Sequence, residues 1–401
     1  MKTITFFTLV ILALSLGACQ LADTPIPPTI SPVPPTETPI PKTATPALPT
    51  QTSLPPTETL SLPTATKVQP TATPAEQPPG LSPSPRGAYG MAYDSKTNRV
   101  ILYGGWTGNE SLRSSYNDET WSYDVSANTW TKMNPSTSPG IRCGHELVYD
   151  VESDRFILFG GYYFYGSWTV LDDTWIYDAN TNTWTKMKAK GPFSHAGGQM
   201  VYDSESDRTI FFSGYSFGGD YFFLDTWAYD DESDTWTEMK PAISPPAQYY
   251  HGMTYDPKAD RIILFGVNSP TLANPDTPTD NSVWSYDYNT NTWEQRKTAS
   301  GPFGRSGGAI AYDTKAERVI LYGGTDLGSS DMWAYDYEQN TWTELKPSIN
   351  PGEISFHDMV YLSTIDRLLL FGGITNRSQF WGNTWLYDFN VNTWIDVSPK
   401  P

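Results

Sequence analysis

The chain has few of the residues that usually announce a chemistry. Its 401 residues include two cysteines, Cys19 and Cys143, and four histidines. Two distant thiols cannot form a disulfide framework, so a fold of this size must rest on its apolar core. Basic residues number 26 against 44 acidic ones, a net charge of −18. That balance excludes a nucleic-acid partner, because phosphate neutralisation requires clustered Lys and Arg. A helical period is missing as well. The apolar stretch from Ile4 to Leu14 is too short to span a bilayer as a mature helix.

What is present is a repeat. Asn128-Thr129-Trp130 recurs as Asn182-Thr183-Trp184, Asp234-Thr235-Trp236, Asn291-Thr292-Trp293, Asn340-Thr341-Trp342 and Asn392-Thr393-Trp394. The tryptophans are 54, 52, 57, 49 and 52 residues apart. A non-helical period near fifty predicts an all-β fold, a six-bladed β-propeller of four-stranded antiparallel blades. Each repeat supplies a short strand ending in Tyr-Asp, as at Tyr93-Asp94, and the sixth copy, Tyr361-Leu362, loses the acid. A β-branched run closing in glycine follows, such as Val100 to Gly105, then a strand opening at a tryptophan, Trp121 in the first copy, then the Asn-Thr-Trp strand. Short runs bounded by Gly, Asn, Asp and Pro are strands. The Asp-x4-Arg spacing, Asp94 to Arg99 and its copies, suggests an ion pair across the first hairpin. The Asp178-x-Asn180-x-Asn182 spacing belongs to a turn, since no Gly and distant Glu complete a calcium loop.

The N-terminal region differs in kind. Residues 1–18 are expected to be a lipoprotein signal peptide, with Lys2 as a minimal basic region. Leu16-Gly17-Ala18-Cys19 resembles a bacterial lipobox, which implies lipidation at Cys19; the alternative is an ordinary secretory cleavage site. Residues 19–85 repeat Pro and Thr and carry too little apolar surface to fold, so they are expected to form a disordered stalk. The propeller is expected over 86–397, with blades at about 86–138, 139–191, 192–245, 246–301, 302–351 and 352–397. All four strands of blade one precede all four of blade six, so the ring should close without a swapped strand.

The double glycine after an apolar strand, the Trp-x-Tyr-Asp strand, the Asn-Thr-Trp strand and the Arg142-x2-His145 opening together resemble the kelch repeat of galactose-oxidase-like propellers. Blades three and four depart from it, with Ser213-Gly214 and Gly266-Val267 in place of the double glycine. The resemblance implies the fold and leaves two functional classes open. One is a binding module. The other is a sugar-active enzyme, epimerase-, mutarotase- or oxidase-like, with its site at the channel mouth. No copper set of the oxidase kind maps onto this chain, and no cofactor, metal or catalytic residue is assigned. Arg86, Arg142 and Arg305, eight residues before the first-strand acid, could hold a ligand carboxylate or serve the scaffold. His145, His251 and His357 take equivalent places in alternate blades, with His195 nearby in blade three. They should face one another across a channel too wide for one ion.

The fifteen tryptophans give the functional lead. Twelve belong to the repeat. Trp106, Trp168 and Trp381 do not, and all lie between second and third strands, in blades one, two and six. Tyr162, Tyr163 and Tyr165 join them in blade two, and Tyr215, Phe217 and Tyr221 in blade three. An aromatic arc on one face would mark a contact site, unless the rings pack on each other and cap the channel. The expected protein is a monomeric, cell-surface binding module, held to the membrane by its lipid alone, whose partner is a polysaccharide or an envelope protein.

Overall fold

The structure is a computed structural model that describes residues 81–108, 112–193, 196–216, 221–246, 249–266, 282–324, 329–375 and 379–399. The signal peptide, Cys19 and nearly all of the stalk lie outside the described residues. So do His195, Phe217 and the side chain of Tyr221.

Six four-stranded antiparallel sheets follow one another along the chain. The innermost strands are Gly90–Asp94, Glu146–Asp150, Gln199–Asp203, Gly252–Asp256, Ala309–Asp313 and Asp358–Leu362. Every blade is built from consecutive strands, from Gly90–Asp94 through Thr129–Met133 in the first to Asp358–Leu362 through Thr393–Asp396 in the sixth. The ring therefore closes without a swapped strand. Strands alternate in direction, so each blade has two tight hairpins on one face, here the hairpin face. The longer loops and the connections between blades lie on the other, the loop face. Among the described residues no helix is long and apolar enough to cross a membrane.

The repeat motif has a local cause. Its Asn takes φ near +50° at Asn128, Asn182, Asn291, Asn340 and Asn392, and Asp234 does the same in blade three. That left-handed turn suits Asn and Asp better than other side chains. The same side chain accepts the hydroxyl of a third-strand tyrosine five residues earlier, as in Tyr177 to Asn182 at 2.9 Å and Tyr335 to Asn340 at 2.7 Å. The first hairpin repeats the device with Tyr149 to Asp154 and Tyr255 to Asp260.

The first-strand Asp does not pair across its own hairpin. Asp94, Asp150, Asp203, Asp256 and Asp313 each accept two backbone N–H groups of the turn that follows. The arginine bonds outward, to the Asp that ends the third strand: Arg208–Asp230, Arg261–Asp287, Arg318–Asp336 and Arg367–Asp388, at 2.6–3.0 Å. A turn full of unpaired N–H groups claims the nearest carboxylate, which leaves the arginine the next one.

The fourth-strand tryptophans join blade to blade. Trp130, Trp184, Trp236 and Trp293 donate their indole N–H to Thr384, Thr120, Thr174 and Thr226 of the preceding blade, at 2.9–3.0 Å. The first of these bonds links blade one to blade six. In blades four and five the threonine position holds Val283 and Met332, in the same clusters as the rings of Trp342 and Trp394. Those two indole N–H groups are buried without an acceptor.

Candidate functional site

The arginines are answered first. Arg86, Arg142 and Arg305 are 0%, 1% and 5% exposed. Each is paired with an acid of its own blade: Glu119, Asp173 and Asp331. Each also donates to the carbonyl of the first glycine after the second strand, Gly104, Gly160 or Gly323. The acid accepts in addition the indole N–H of the third-strand tryptophan two residues on, Trp121, Trp175 or Trp333. Burial pushes the carboxylates of Glu119 and Asp173 up, but their bonds to Arg86 and Arg142 hold both down to about 2. Of the blades that lack an arginine at this position, four and six lack the acid too, with Ser282 and Asn383, while blade three keeps one, Asp225, which accepts the indole N–H of Trp227 at 2.7 Å. The carboxylate that each of these three arginines holds is internal.

Most described rings of the aromatic arc pack against one another. Trp106, Tyr162 and Tyr215 are buried. Trp106 meets Phe380 of blade six edge-on with centroids 4.8 Å apart, and Trp168 packs on Tyr162 and Phe164 at 5.6 and 5.0 Å. Trp106, Tyr162, Phe356 and Ile374 form one cluster, with Tyr163, Trp168 and Tyr250 partly buried against it. Trp381 is half-buried beside Gly352. Among the described residues of the arc, Tyr165 alone stands out, 64% exposed. Large flat rings gain more by covering each other than by facing water, so most of the arc became a cap.

Under the cap runs a belt. Ala88, Gly144, Gly197, Tyr250, Gly307 and Phe356 occupy equivalent positions, one per blade, all with φ between 51° and 68°. Ala88 donates its N–H to Phe356, Gly144 to Ala88, Tyr250 to Gly197, Gly307 to Tyr250 and Phe356 to Gly307, at 2.7–2.9 Å. The glycines of the belt leave room for the rings. A Cβ on Gly144 would stand 2.6 Å from Tyr162, and one on Gly307 would stand 3.3 Å from Phe356.

Below the belt lies the axial channel, a cavity of about 390 Å³. Its lining runs from Ala88, Gly144, Tyr250, Gly307 and Phe356 to Ser204, Pro257 and Thr314 in the hairpin turns. The inner strands open at Gly90, Glu146, Gln199, Gly252, Ala309 and Asp358, and four of these line the wall: Glu146, Gln199, Ala309 and Asp358. Two are carboxylates. Asp358 accepts the backbone N–H of Met91 at 3.0 Å and of Met359 at 2.7 Å, and Glu146 accepts the amide of Gln199 at 2.8 Å. Removal from bulk water pushes Asp358 up to about 7. Burial raises Glu146 well above the carboxylate range, and Asp358 adds to it. Sequence reading missed this pair. The signal was available: four of the six copies carry no acid at that position.

The histidines do not converge. His145 packs on Tyr103, His251 on Phe212 and His357 on Tyr322, each against the preceding blade. Burial drives all three down to about 3, so they are neutral near pH 7. On the hairpin face Asp150, Asp207 and Asp231 bring carboxylate oxygens within 4.8 Å of one another. The oxygens of Asp150 already serve Glu152 and Ser153.

Belt, blade-to-blade indole bonds and paired arginines together define a six-bladed propeller of the kelch class. The chain belongs to the family described as the KLHDC2/KLHL20/DRC7 Kelch-repeats domain, which matches residues 64–267 and 259–401. It is similar to Mei4-dependent protein 6 of Schizosaccharomyces pombe, 25% identical over 205 residues, or 46% of this chain and 29% of that protein. It is also similar to Kelch domain-containing protein 10 of Xenopus tropicalis, 26% identical over 193 residues, 46% of this chain and 44% of that one. The matched region thus spans less than half of either curated relative. A solved structure described as "Structure of YjhT" shares the fold with a TM-score of 0.61 at 17% identity, over 79% of this chain and 98% of that one.

Proposed function

We propose that this protein is a surface-tethered recognition module that binds an envelope protein through the loop face of its propeller. Lipidation at Cys19 and the Pro/Thr-rich segment would supply the tether. One observation carries the reading, the uneven distribution of exposed apolar side chains. Leu112, Tyr165, Phe193, Leu224, Ile243, Phe303 and Ile349 are each more than half exposed, and all sit in loop-face segments of the chain. The hairpin turns carry two large exposed apolar residues, Ile365 and Val391. Soluble proteins rarely leave such residues together on one side without a contact to make. Aliphatic and aromatic side chains spread around a rim suit a protein surface better than a sugar, which favours one flat stacking ring. The enzyme reading needs arginines free for a substrate, and Arg86, Arg142 and Arg305 are committed to Glu119, Asp173 and Asp331.

The test is capture of purified envelope proteins and envelope polysaccharides by the full chain, wild type against Tyr165→Ser/Phe193→Ser/Phe303→Ser. Saturable protein capture lost in the triple variant is the expected result. Equal capture by both, or capture of polysaccharide alone, would overturn the proposal.

A further inference from the structure

The fold asks for no acid where the inner strands open, since Gly90, Gln199, Gly252 and Ala309 serve in four blades. Glu146 and Asp358 therefore need another explanation. A carboxylate walled in by protein is costly unless something compensates it. Part of the compensation is visible. The inner strand is a sheet edge, and Asp358 caps its free N–H groups at Met91 and Met359. The remaining blades do without such a cap, so capping alone does not account for the two acids.

Four features of the channel agree on the charge of what it would hold. The wall carries carboxylates on blades two and six, with the amide of Gln199 beside Glu146. The closed end is lined by the rings of Tyr250 and Phe356, 4.9 Å apart and edge to face, and aromatic faces attract cations. On the blade-four side His251 lines the channel at 1% exposure, and neither of its ring nitrogens has a hydrogen-bond partner among the described residues. A neutral imidazole offers one acceptor nitrogen. The hairpin-face end is ringed by Asp94, Asp150, Asp203, Asp256 and Asp313 in a chain of net charge −18, a field that draws cations in. The opposite wall is small, with Gly307, Gly308 and Ala309, so the space beside the acids is open. A cavity of about 390 Å³ is at the small end of ligand sites. A hard divalent ion is a poorer fit, because calcium takes six to eight oxygen ligands, more than two carboxylates and one amide supply.

We propose that the axial channel is a binding site for a small organic ammonium ion, a short aliphatic amine or an amino sugar, held by Asp358 and Glu146 with Gln199 and His251 as further acceptors. It is entered from the hairpin face and is separate from the loop-face contact. A bound ammonium ion favours the ionised form of these acids, so replacing either with its amide removes a charge-assisted hydrogen bond and should weaken binding about tenfold or more.

Calorimetric titration of the full chain with putrescine, glucosamine and calcium chloride tests this. The expected result is saturable binding of putrescine or glucosamine. It should weaken at least tenfold in Asp358→Asn and Glu146→Gln, and be blocked by Thr254→Trp, which fills the channel from the far wall without touching either acid. The loop-face variant Phe303→Ser should bind like wild type. Absence of heat with both ammonium probes would overturn the proposal. So would unchanged affinity in the three channel variants whose circular dichroism matches wild type, or calcium as the sole ligand sensitive to them. Loss of binding in Phe303→Ser would place the site on the other face and overturn it too.

Discussion

The two faces of this propeller are made by the same six repeats and obey different rules. On the hairpin face the blades solve the same problem in nearly the same way, and blade six alone lacks the first-strand Asp. An Asp takes two turn N–H groups, an Asn or Asp turns left-handed, and a tyrosine hydroxyl reaches that side chain. On the loop face, beyond the belt and the paired arginines, the longer loops among the described residues differ from blade to blade. Blade two projects the ribbon Tyr162–Phe164 paired with Trp168–Val170, and blade three extends its middle strands to Arg208–Ser216 and Tyr221–Asp230. Blade one folds Trp106 inward against blade six. Short hairpins leave no room for variation, because a two-strand turn must satisfy its backbone within four residues. Longer connections can satisfy theirs in many ways, which is where recognition and capping are built.

Four experiments would sharpen or break that contrast. The largest effect is expected at the loop-face arginines. Arg142→Ala leaves Asp173 only the exposed Lys186 and the Trp175 indole, takes the donor from the Gly160 and Pro139 carbonyls, and should cost about 3 kcal/mol in chemical denaturation. Less than about 1 kcal/mol would mean that the pair is solvated and the arginine free for a ligand after all. On the hairpin face the cost should be smaller and uniform. Asp203→Ala, Asp256→Ala and Asp313→Ala each remove the acceptor of two turn N–H groups and should each cost about 1–2 kcal/mol. One blade far out of line with the others would show that the hairpin face is not merely repeat chemistry.

Supplying a missing acceptor should work in reverse. Val283→Thr keeps the shape of the side chain and places a hydroxyl at the position from which Thr120, Thr174, Thr226 and Thr384 accept neighbouring indoles. Satisfying the N–H of Trp342 should stabilise the protein by about 1 kcal/mol, read as a higher denaturant midpoint with an unchanged slope. A lower midpoint would mean that the hydroxyl is buried without meeting the indole.

The smallest effect is one of direction. Asp358 titrates near 7 in the folded protein, above its ordinary value, so the folded state holds a proton that the unfolded chain releases. Stability from this group is present at about pH 4 and is lost as pH rises through about 7. Asp358→Asn should therefore melt higher than wild type at pH 8, with the gap closing toward pH 4. The buried histidines work in the other sense. Their pKa of about 3 lies below the ordinary value, so their contribution is lost as pH falls below about 6.5. A gap between the two proteins that widened toward acid would contradict the assignment of Asp358.

How far the chain could be read beforehand follows from the range over which each interaction acts. The repeat period, the strand order, the closure of the ring and the kelch resemblance rest on local patterns. Asn at a left-handed turn, alternating apolar strands and glycine after the second strand all act within a few residues of themselves. The surplus of Trp106, Trp168 and Trp381 over the repeat was legible in the same way, as was their placement in neighbouring blades. Their exposure was not. Whether a ring on a loop faces water or another ring depends on which loop stands beside it, and blade six lies beside blade one only after some 270 residues have closed the circle. The same holds for Arg86, Arg142 and Arg305, whose acids follow 33, 31 and 26 residues later.

The sequence by itself determined a six-bladed kelch propeller, because every blade repeats the short-range chemistry that makes one. Only the tertiary structure decided that the extra aromatics cap the ring, that the arginines are already paired, and that Glu146 and Asp358, 212 residues apart in the numbering, line one channel. Burial and pairing belong to the closed ring and to no single repeat of it.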